Sequence, residues 1–187
     1  MNKQAIKTLL NTSFTDFSTF IDTLSNHRFV VSPEGKWSAG QQLDHLIRSA
    51  KPVNKALGMP KFLLRFFGKP AAAKSRSYEQ MKDAYVAELG RGGVTTRPYI
   101  PPVTEANQRE ILQQQMHAQR DKMIALLDKW TEEELDRYQV PHPLLGKITV
   151  RECLYFTAYH NHHHLHTLQV REKPNQPWAE QLERALF

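Results

Sequence analysis

Five histidines lie within the seven residues 160–166 of this 187-residue chain. Neutral imidazole nitrogens are common ligands of zinc and related divalent ions. A histidine run at a chain terminus is typical of a purification tag, but here a predicted helix start precedes the cluster and apolar residues follow it. Two histidines four residues apart on a helix project from the same face and can bind one ion together. The cluster therefore predicts a metal site built on a helix.

Helical geometry indicates which histidines of the cluster face the interior. Each residue turns an α-helix by about 100°. The inward stripe of this helix is defined by Val150, Cys153, Leu154, Thr157, Asn161, Leu165 and Leu168. His164 falls inside that stripe and His160 lies at its edge, whereas the other three point away from it by about 120° or more. We expect His160 and His164 to be the metal-binding pair, and His162, His163 and His166 to be solvated.

A pair supplies only two ligands, so a useful site needs a third from another helix. Once His27 is assigned to a connector, the candidates are His45, His117 and His142. His142 lies between two prolines in a predicted turn, a poor position for a ligand in a bundle interior. His45 and His117 each lie in a predicted helix but off its main apolar stripe, so periodicity does not choose between them. His45 shares its helix face with three uncharged polar residues, Ser38, Gln42 and Ser49.

Four long segments with helical periodicity must position these histidines. Apolar residues recur at three- and four-residue steps over residues 3–24, 38–57, 104–130 and 149–172. Capping boxes open the second and fourth segments at Ser38 and Thr149. No segment alternates with period two for long, and a turn is expected at residues 141–147, so no sheet is expected. The pattern predicts an all-α protein, a four-helix bundle with short accessory helices.

A long connection, residues 61–103, joins the second and third helices. Its apolar start, residues 61–68, predicts a short helix that packs on the bundle or covers a pocket mouth. Another short helix is expected near residues 78–89, and clustered glycines and prolines mark a loop after it. Since a connection this long inside a compact domain is often functional, we expect an insertion or lid-like segment.

Some further residues bear on the predicted site. Asn161 is inward and polar, and either orients a ligand or bonds a neighbouring helix. Asp44 is expected to be solvated or paired on the helix surface. Cys153 lies about 10 Å along the helix axis from the first inward histidine, too far to bind the same ion, so a packing role is expected. Tyr78 and Tyr85 are candidates to line the pocket mouth.

The composition is that of one soluble globular domain over residues 1–187, with 40% hydrophobic and 24% charged residues. No apolar run reaches membrane-spanning length, and the first residues lack the apolar core of a secretory signal. The single cysteine excludes an internal disulfide and fits a reducing compartment. A cytoplasmic location is therefore expected.

The formal charge of +6 raises the question of a nucleic-acid or membrane partner. Lysines and arginines are spread along the chain, with no basic run interleaved with stacking aromatics, so no nucleic-acid partner is expected. The apolar residues 62–67 are short for an interfacial anchor, so no membrane partner is expected. The positive charge could instead attract an anionic small-molecule substrate.

Two segments resemble the DinB/YfiT-like superfamily of metal-dependent proteins. Residues 37–47, WSAGQQLDHLI, resemble that family's helix carrying the first histidine, introduced by a tryptophan and a cap. Residues 142–152, HPLLGKITVRE, followed by His160 and His164, resemble its last helix, where a proline–glycine turn leads to two histidines four residues apart. Each segment is short, but their order and spacing over residues 36–170 make the combination specific.

The resemblance implies a four-helix bundle of unusual handedness, often a homodimer, that binds a divalent ion through three histidines. It selects His45 as the third ligand beside His160 and His164, and zinc and nickel are the ions usual in such proteins. Characterised members include enzymes that use low-molecular-weight thiols such as bacillithiol or mycothiol, which suggests transfer of a thiol to a small-molecule substrate. A bound ion could equally activate water, and the outcome would then be hydrolysis. The alternative is a non-catalytic metal-binding or stress-response bundle.

Overall fold

A computed structural model describes residues 1–32, 35–68, 71 and 74–172. The helices of this part of the chain are α1 (Lys3–Thr23), α2 (Asn26–Val30), α3 (Ala39–Gly58), α4 (Lys61–Leu64), α5 (Tyr78–Gly90), α6 (Arg109–Leu127), α7 (Glu132–Arg137) and α8 (Val150–Glu172). Short 3₁₀ turns occupy Arg97–Tyr99 and Ala106–Gln108, and the strands are β1 (Gln139–His142) and β2 (Gly146–Thr149). The sequence also places Pro33 in a connector between the first two long helices and Pro174 at the end of the last one, and both residues lie outside the described part of the chain.

The four long helices α1, α3, α6 and α8 form a bundle around one apolar core. Helix α1 packs against α6 and α8, and α3 packs against the same two helices. The apolar stripe of α1 is fully buried at Ile6, Leu10, Phe14, Phe17 and Ile21. Removing these side chains from water is the main favourable contribution to such a fold. The predicted all-α four-helix bundle is confirmed.

The capping boxes predicted at the starts of α3 and α8 are present. Ser38 Oγ accepts the backbone N–H of Gln41, and the Gln41 side-chain oxygen accepts the backbone N–H of Ser38. Thr149 and Glu152 exchange the same pair of bonds. Each box satisfies two backbone donors that a helix start otherwise leaves unpaired. These local bonds fix where the two histidine-bearing helices begin.

The predicted start of the third helix at Thr104 is wrong. Helix α6 begins at Arg109, after a 3₁₀ turn that Glu105 and Gln108 cap reciprocally. Thr104 is buried, and its hydroxyl lies 3.4 Å from that of Ser38 at the start of α3. The threonine therefore joins two elements instead of capping a helix, a role that periodicity cannot indicate.

The expectation that the chain contains no sheet is also wrong. Strands β1 and β2 form an antiparallel hairpin in which Val140 pairs with Ile148 and His142 with Gly146. Gly146 has a φ of +69°, a conformation that glycine adopts without steric cost. The strands are four residues long each, too short for an alternating pattern to be recognised in the sequence. The hairpin leads directly into α8.

The connection between α3 and α6 contains the two short helices that the sequence predicts, α4 and α5. Helix α5 packs along α8. In and after α4, Leu64 is fully buried, whereas Phe62 and Phe66 are 65% and 83% exposed. Over the described residues, no helix combines the length and the apolar character needed to cross a membrane.

Candidate metal centre

The structure brings His45, His160 and His164 together between α3 and α8. His45 Nε2 lies 3.2 Å from His160 Nε2, which in turn lies 3.1 Å from His164 Nε2. An ion bound tetrahedrally at about 2.05 Å from each of three nitrogens holds those nitrogens about 3.3 Å apart. These two separations are close to that value, and the ligand nitrogens of all three histidines lie within 4.8 Å of one another. The three nitrogens could therefore hold one metal ion.

Protein oxygens fix the second ring nitrogen of two of these histidines. His45 Nδ1 lies 2.8 Å from the carbonyl oxygen of Tyr99, and His164 Nδ1 lies 2.9 Å from Gln42 Oε1. Since a carbonyl oxygen only accepts, each Nδ1 carries the proton, and each Nε2 carries a lone pair in the neutral ring. Both lone pairs face His160 Nε2, which has at most one proton to donate. A central cation satisfies all three nitrogens, whereas internal hydrogen bonds do not.

Burial keeps these rings neutral. The side chains of His45 and His160 are only 4% and 6% exposed. Burial lowers the pKa of His45, and the hydrogen bond to the Tyr99 carbonyl offsets only part of that effect. Burial lowers the pKa of His160 and of His164 well below 6.5, and the neighbouring histidines lower it further. Neutral imidazole is the form that binds a metal, so the cluster is in that form at pH 7.

Aromatic rings hold two of the histidines in place. The ring centroid of Trp37 lies 4.8 Å from that of His45. Phe156, one turn before His160 on α8, stacks on its imidazole at 4.9 Å with an interplanar angle of 23°. A ring packed on one side and bonded on the other has little freedom to rotate, which preorganises a binding site.

A cavity of about 280 Å³ opens beside His45 and His160. Its walls come from α3, from the connection 61–103, from the β1–β2 hairpin and from α8, and most of the lining side chains are apolar. Among the described residues that line it, Lys55 is the one formally charged group and there is no carboxylate. Two members of the cluster therefore face an apolar space of the size that small ligands occupy.

The expectation that His163 and His166 are solvated is wrong. Both are partly buried, and His163 Nδ1 and His166 Nε2 are enclosed without a hydrogen-bond partner among the described residues. Burial lowers the pKa of His163 to about 4. The cause is α5, which packs on this side of α8 and places the ring of Tyr85 6.2 Å from that of His163. His162 is partly buried as well.

The two other histidines considered as a third ligand lie outside the histidine cluster. His142, judged a poor candidate for the interior, lines the cavity, and its ring centroid lies 4.2 Å from that of Phe156. It is not one of the three clustered histidines, as expected, and it reaches the cavity because residues 139–149 form a hairpin that packs against α8. His117 bonds Ser18 Oγ at 2.8 Å between α6 and α1, away from the cluster.

The further residues considered from the sequence also have defined places. Asn161 donates to Ser13 Oγ of α1 at 3.3 Å, so its bond is to a neighbouring helix. Asp44 pairs with Arg48 at 2.7 Å as a partner on the same helix, but it is buried and not solvated. Cys153 is buried, as expected, and it also lines the cavity. Of the two tyrosines, Tyr85 lines the cavity, whereas Tyr78 packs against Tyr155.

Sequence reasoning missed the groups that hold the candidate ligands. Gln42 had a usable signal, since it shares an uncharged polar helix face with His45, one turn away. Phe156 lies four residues before His160 and could have been placed beside it by helical spacing. The carbonyl of Tyr99 had no signal, because every residue has a backbone carbonyl and only the folded loop selects one.

An all-α bundle with three converging histidines defines the structural class of this protein. The sequence profile of the DinB superfamily matches residues 9–168, which is most of the chain. The chain belongs to the DinB superfamily. No curated protein shows significant sequence similarity to it. Family membership and the histidine cluster are together compatible with metal binding.

Proposed function

We propose that this protein binds a divalent ion, zinc or nickel, through His45, His160 and His164 and is a metal-dependent enzyme acting on a small molecule. The observation that carries the proposal is the convergence of three neutral Nε2 atoms beside an apolar cavity. Imidazole ligands suit both ions. Three protein ligands leave coordination open, which is the arrangement of catalytic sites and not of closed structural ones.

The reaction we propose is transfer of a low-molecular-weight thiol to an electrophile, with hydrolysis by water as the alternative outcome at the same site. When bound, a divalent ion lowers the pKa of a thiol or water that it ligates and so supplies a nucleophile near neutral pH. Three neutral ligands leave the charge of such an ion uncompensated, which suits an anionic thiolate. The family resemblance supports the choice of a thiol.

The protein's own groups would orient the reactants. Gln42 and the Tyr99 carbonyl hold the rings of His164 and His45, and Phe156 packs on His160. The apolar walls would exclude water from the reacting groups. Lys55 places a positive charge at the cavity, where an anionic group of the substrate or thiol could bind. A homodimer and a cytoplasmic location stay predictions.

A non-catalytic metal-binding or stress-response bundle is the second candidate. The observation that favours it is the lack of any carboxylate among the described residues lining the cavity. Without such a group, no Asp or Glu is available there as a general base. This hypothesis has the same metal site as the enzyme hypothesis and differs from it only in predicting that no substrate is converted.

Metal content by mass spectrometry on untagged protein tests the site. We expect about one zinc or nickel ion per chain in the wild type and less than about a tenth of that in His45→Ala, His160→Ala and His164→Ala. His162→Ala is the matched control, because this histidine lies on the same helix outside the cluster. Helical circular dichroism should be unchanged in all four variants. A wild type that stays metal-free after dialysis against zinc and nickel would contradict the proposal.

A thiol-transfer assay separates the two candidates. Metal-loaded and chelator-treated protein are compared with bacillithiol, mycothiol and simpler thiols against a panel of electrophiles. Conjugation that requires the metal and is lost in His160→Ala supports the transferase. Metal binding without conjugation or hydrolysis in any combination supports the non-catalytic bundle.

A further inference from the structure

His142 is held in a single tautomer by the backbone of its own hairpin. The backbone nitrogens of Leu144 and Leu145 lie 3.2 and 3.1 Å from His142 Nδ1. Both carry an N–H that can only donate, so Nδ1 must accept with its lone pair. A neutral imidazole has one N–H, which is then on Nε2. The hairpin therefore makes Nε2 of this histidine a permanent donor.

The ring stays neutral over the physiological pH range. Burial, together with the nearby positive charge of Arg76, lowers the pKa of His142 to about 4. Protonation would also place a hydrogen on Nδ1, where two backbone donors already point. At pH 7 the side chain is thus a neutral donor and neither a base nor a cation.

The Nε2 donor has no partner in the protein. Among the described residues none accepts a hydrogen bond from it, and it is not among the enclosed nitrogens that lack a partner, so it is accessible. His142 lines the cavity, and its ring packs edge-on against Phe156, which stacks on His160. The ring that carries this accessible donor is therefore part of the wall of the cavity that His45 and His160 also line, and the Phe156 ring lies between it and His160.

We propose that His142 selects, as the ligand of this cavity, a small and largely apolar molecule that carries a hydrogen-bond acceptor such as a carbonyl oxygen. The inference names a class of ligand for the proposed site, and its relevance to catalysis rests on the proposed function. A donor in an apolar cavity loses its water when a ligand enters, so a ligand without an acceptor leaves it unpaired. A carbonyl bound there would be polarised by a preorganised donor, as an electrophile requires. The lining contains no carboxylate that would compete for the donor among the described residues.

Two probes of equal shape test this selection. Acetophenone and α-methylstyrene differ in having a C=O or a C=CH₂ group at the same position. The apolar probe enters any apolar cavity more readily, so the informative quantity is the ratio of the two dissociation constants, compared between wild type and His142→Asn. The asparagine oxygen can accept the turn N–H groups in place of Nδ1, as in Asx turns, but it leaves no donor at the position of Nε2.

We expect His142→Asn to shift that ratio by about tenfold towards α-methylstyrene, which is the effect of one lost hydrogen bond in an apolar site. An unchanged ratio, or a wild type that binds neither probe, would overturn the inference. Nitrogen-15 NMR of the wild type gives a second measurement that does not depend on the variant. A neutral Nε2–H tautomer at pH 7 is expected for His142, and an Nδ1–H tautomer or an imidazolium would overturn it.

Metal content measured on the same samples separates this inference from the proposed function. His142→Asn should retain the wild-type amount of metal, because His142 is outside the histidine cluster. If both proteins hold metal and the ratio is unchanged, the inference fails and the metal site stands. If neither holds metal and the ratio shifts, the donor role of His142 stands and the proposed function fails.

Discussion

Helix α8 carries two buried polar clusters, and they are satisfied in different ways. At its first turn, the Arg151 side chain is 8% exposed and donates to Asp136 Oδ1 at 2.6 Å and to Glu132 Oε2 at 2.7 Å. Its remaining bonds reach the carbonyl oxygens of Met1 and Glu132 at 2.8 and 2.9 Å and Asp136 Oδ2 at 3.3 Å. About two and a half turns further along the helix, His160 Nε2 lies beside the Nε2 atoms of His45 and His164, and both of these atoms carry a lone pair.

The difference separates a structural cluster from a site. Buried polar groups are normally paired within the protein, and Arg151 follows that rule. In the histidine cluster, the Nδ1 atoms of His45 and His164 are hydrogen-bonded to protein oxygens, but the three Nε2 atoms face one another without enough protons to pair them. A bound cation would satisfy all three. Conflicts of this kind are expected where a protein has a function to perform.

Removing Arg151 should have the largest effect on stability. We expect Arg151→Met to lower the free energy of unfolding by roughly 2–4 kcal/mol, because Asp136 and Glu132 lose their shared partner. Both carboxylates are partly exposed, at 32% and 44%, which keeps the loss below that of a fully buried pair. Urea unfolding followed by circular dichroism measures it.

The control for this prediction is Arg91→Met, which breaks an ion pair with Glu88 on the surface of α5. The Arg91 side chain is 71% exposed, so the expected loss is under about 0.5 kcal/mol. A loss in Arg151→Met no larger than in this control would mean that the first cluster is not structural and would remove the contrast between the two.

The bundle and two of the three clustered histidines could be predicted from the sequence because their signals are local. The period of apolar residues and the capping box at Thr149 define α8, and helical spacing alone pairs His160 with His164. His45 comes from another helix, and periodicity did not distinguish it from His117. The family resemblance was needed to select it, because the contact between α3 and α8 is a tertiary contact that local sequence does not indicate.

The supporting groups could not be predicted for a physical reason. The contact of Tyr99 with His45 uses a backbone carbonyl 54 residues away in the chain, and no side chain marks it. The place of His142 in the cavity wall could not be predicted either, because a hairpin with strands of four residues leaves no periodic pattern. Both groups lie in the connection or the hairpin, where the chain path and not the local sequence decides what lines the cavity.

Two groups beside these clusters, His142 and Glu152, should respond to acid in separate pH ranges. Burial lowers the pKa of His142 beside the histidine cluster from its ordinary 6.5 to about 4, so the unfolded chain takes up this proton first. Its stabilising contribution is complete above pH 6.5 and is lost as the pH falls from 6.5 towards 4. Burial raises the pKa of Glu152, but hydrogen bonds from Arg76 outweigh it and the net shift is downward. That contribution is lost only as the pH falls below about 4.5.

The measurement is the free energy of unfolding of metal-stripped protein from about pH 7.5 to 4. Each histidine kept neutral contributes a slope of about 1.4 kcal/mol per pH unit below its ordinary pKa. His142→Asn should therefore flatten the curve by about that slope between roughly pH 6 and 5. Glu152→Gln should leave the slope in that range unchanged. Equal effects of the two variants there would show that His142 and Glu152 do not titrate separately.

The hydrogen bond from His164 to Gln42 should matter for the ion more than for the fold. If the cluster binds a metal as proposed, Gln42→Ala should weaken that affinity about tenfold, because the bond orients the ring and makes Nε2 a better donor to the ion. Competition with a chromophoric chelator measures the affinity. Gln114→Ala, at an exposed position of α6, is the control and should change nothing. An affinity unaffected by Gln42→Ala would mean that the ring is oriented by packing alone.

The smallest change in stability is expected for a substitution at His160, although a large change would be expected if the histidine cluster served only to stabilise the fold. In metal-free protein, His160→Leu should change the free energy of unfolding by less than about 1 kcal/mol, because an apolar side chain of similar volume removes the convergence of nitrogens and keeps the contact with Phe156. Urea unfolding of both proteins after chelator treatment provides the test, with Arg151→Met beside them. A loss above about 2 kcal/mol would show that the histidines support one another without an ion, as Arg151 and its carboxylates do, and would count against the metal site.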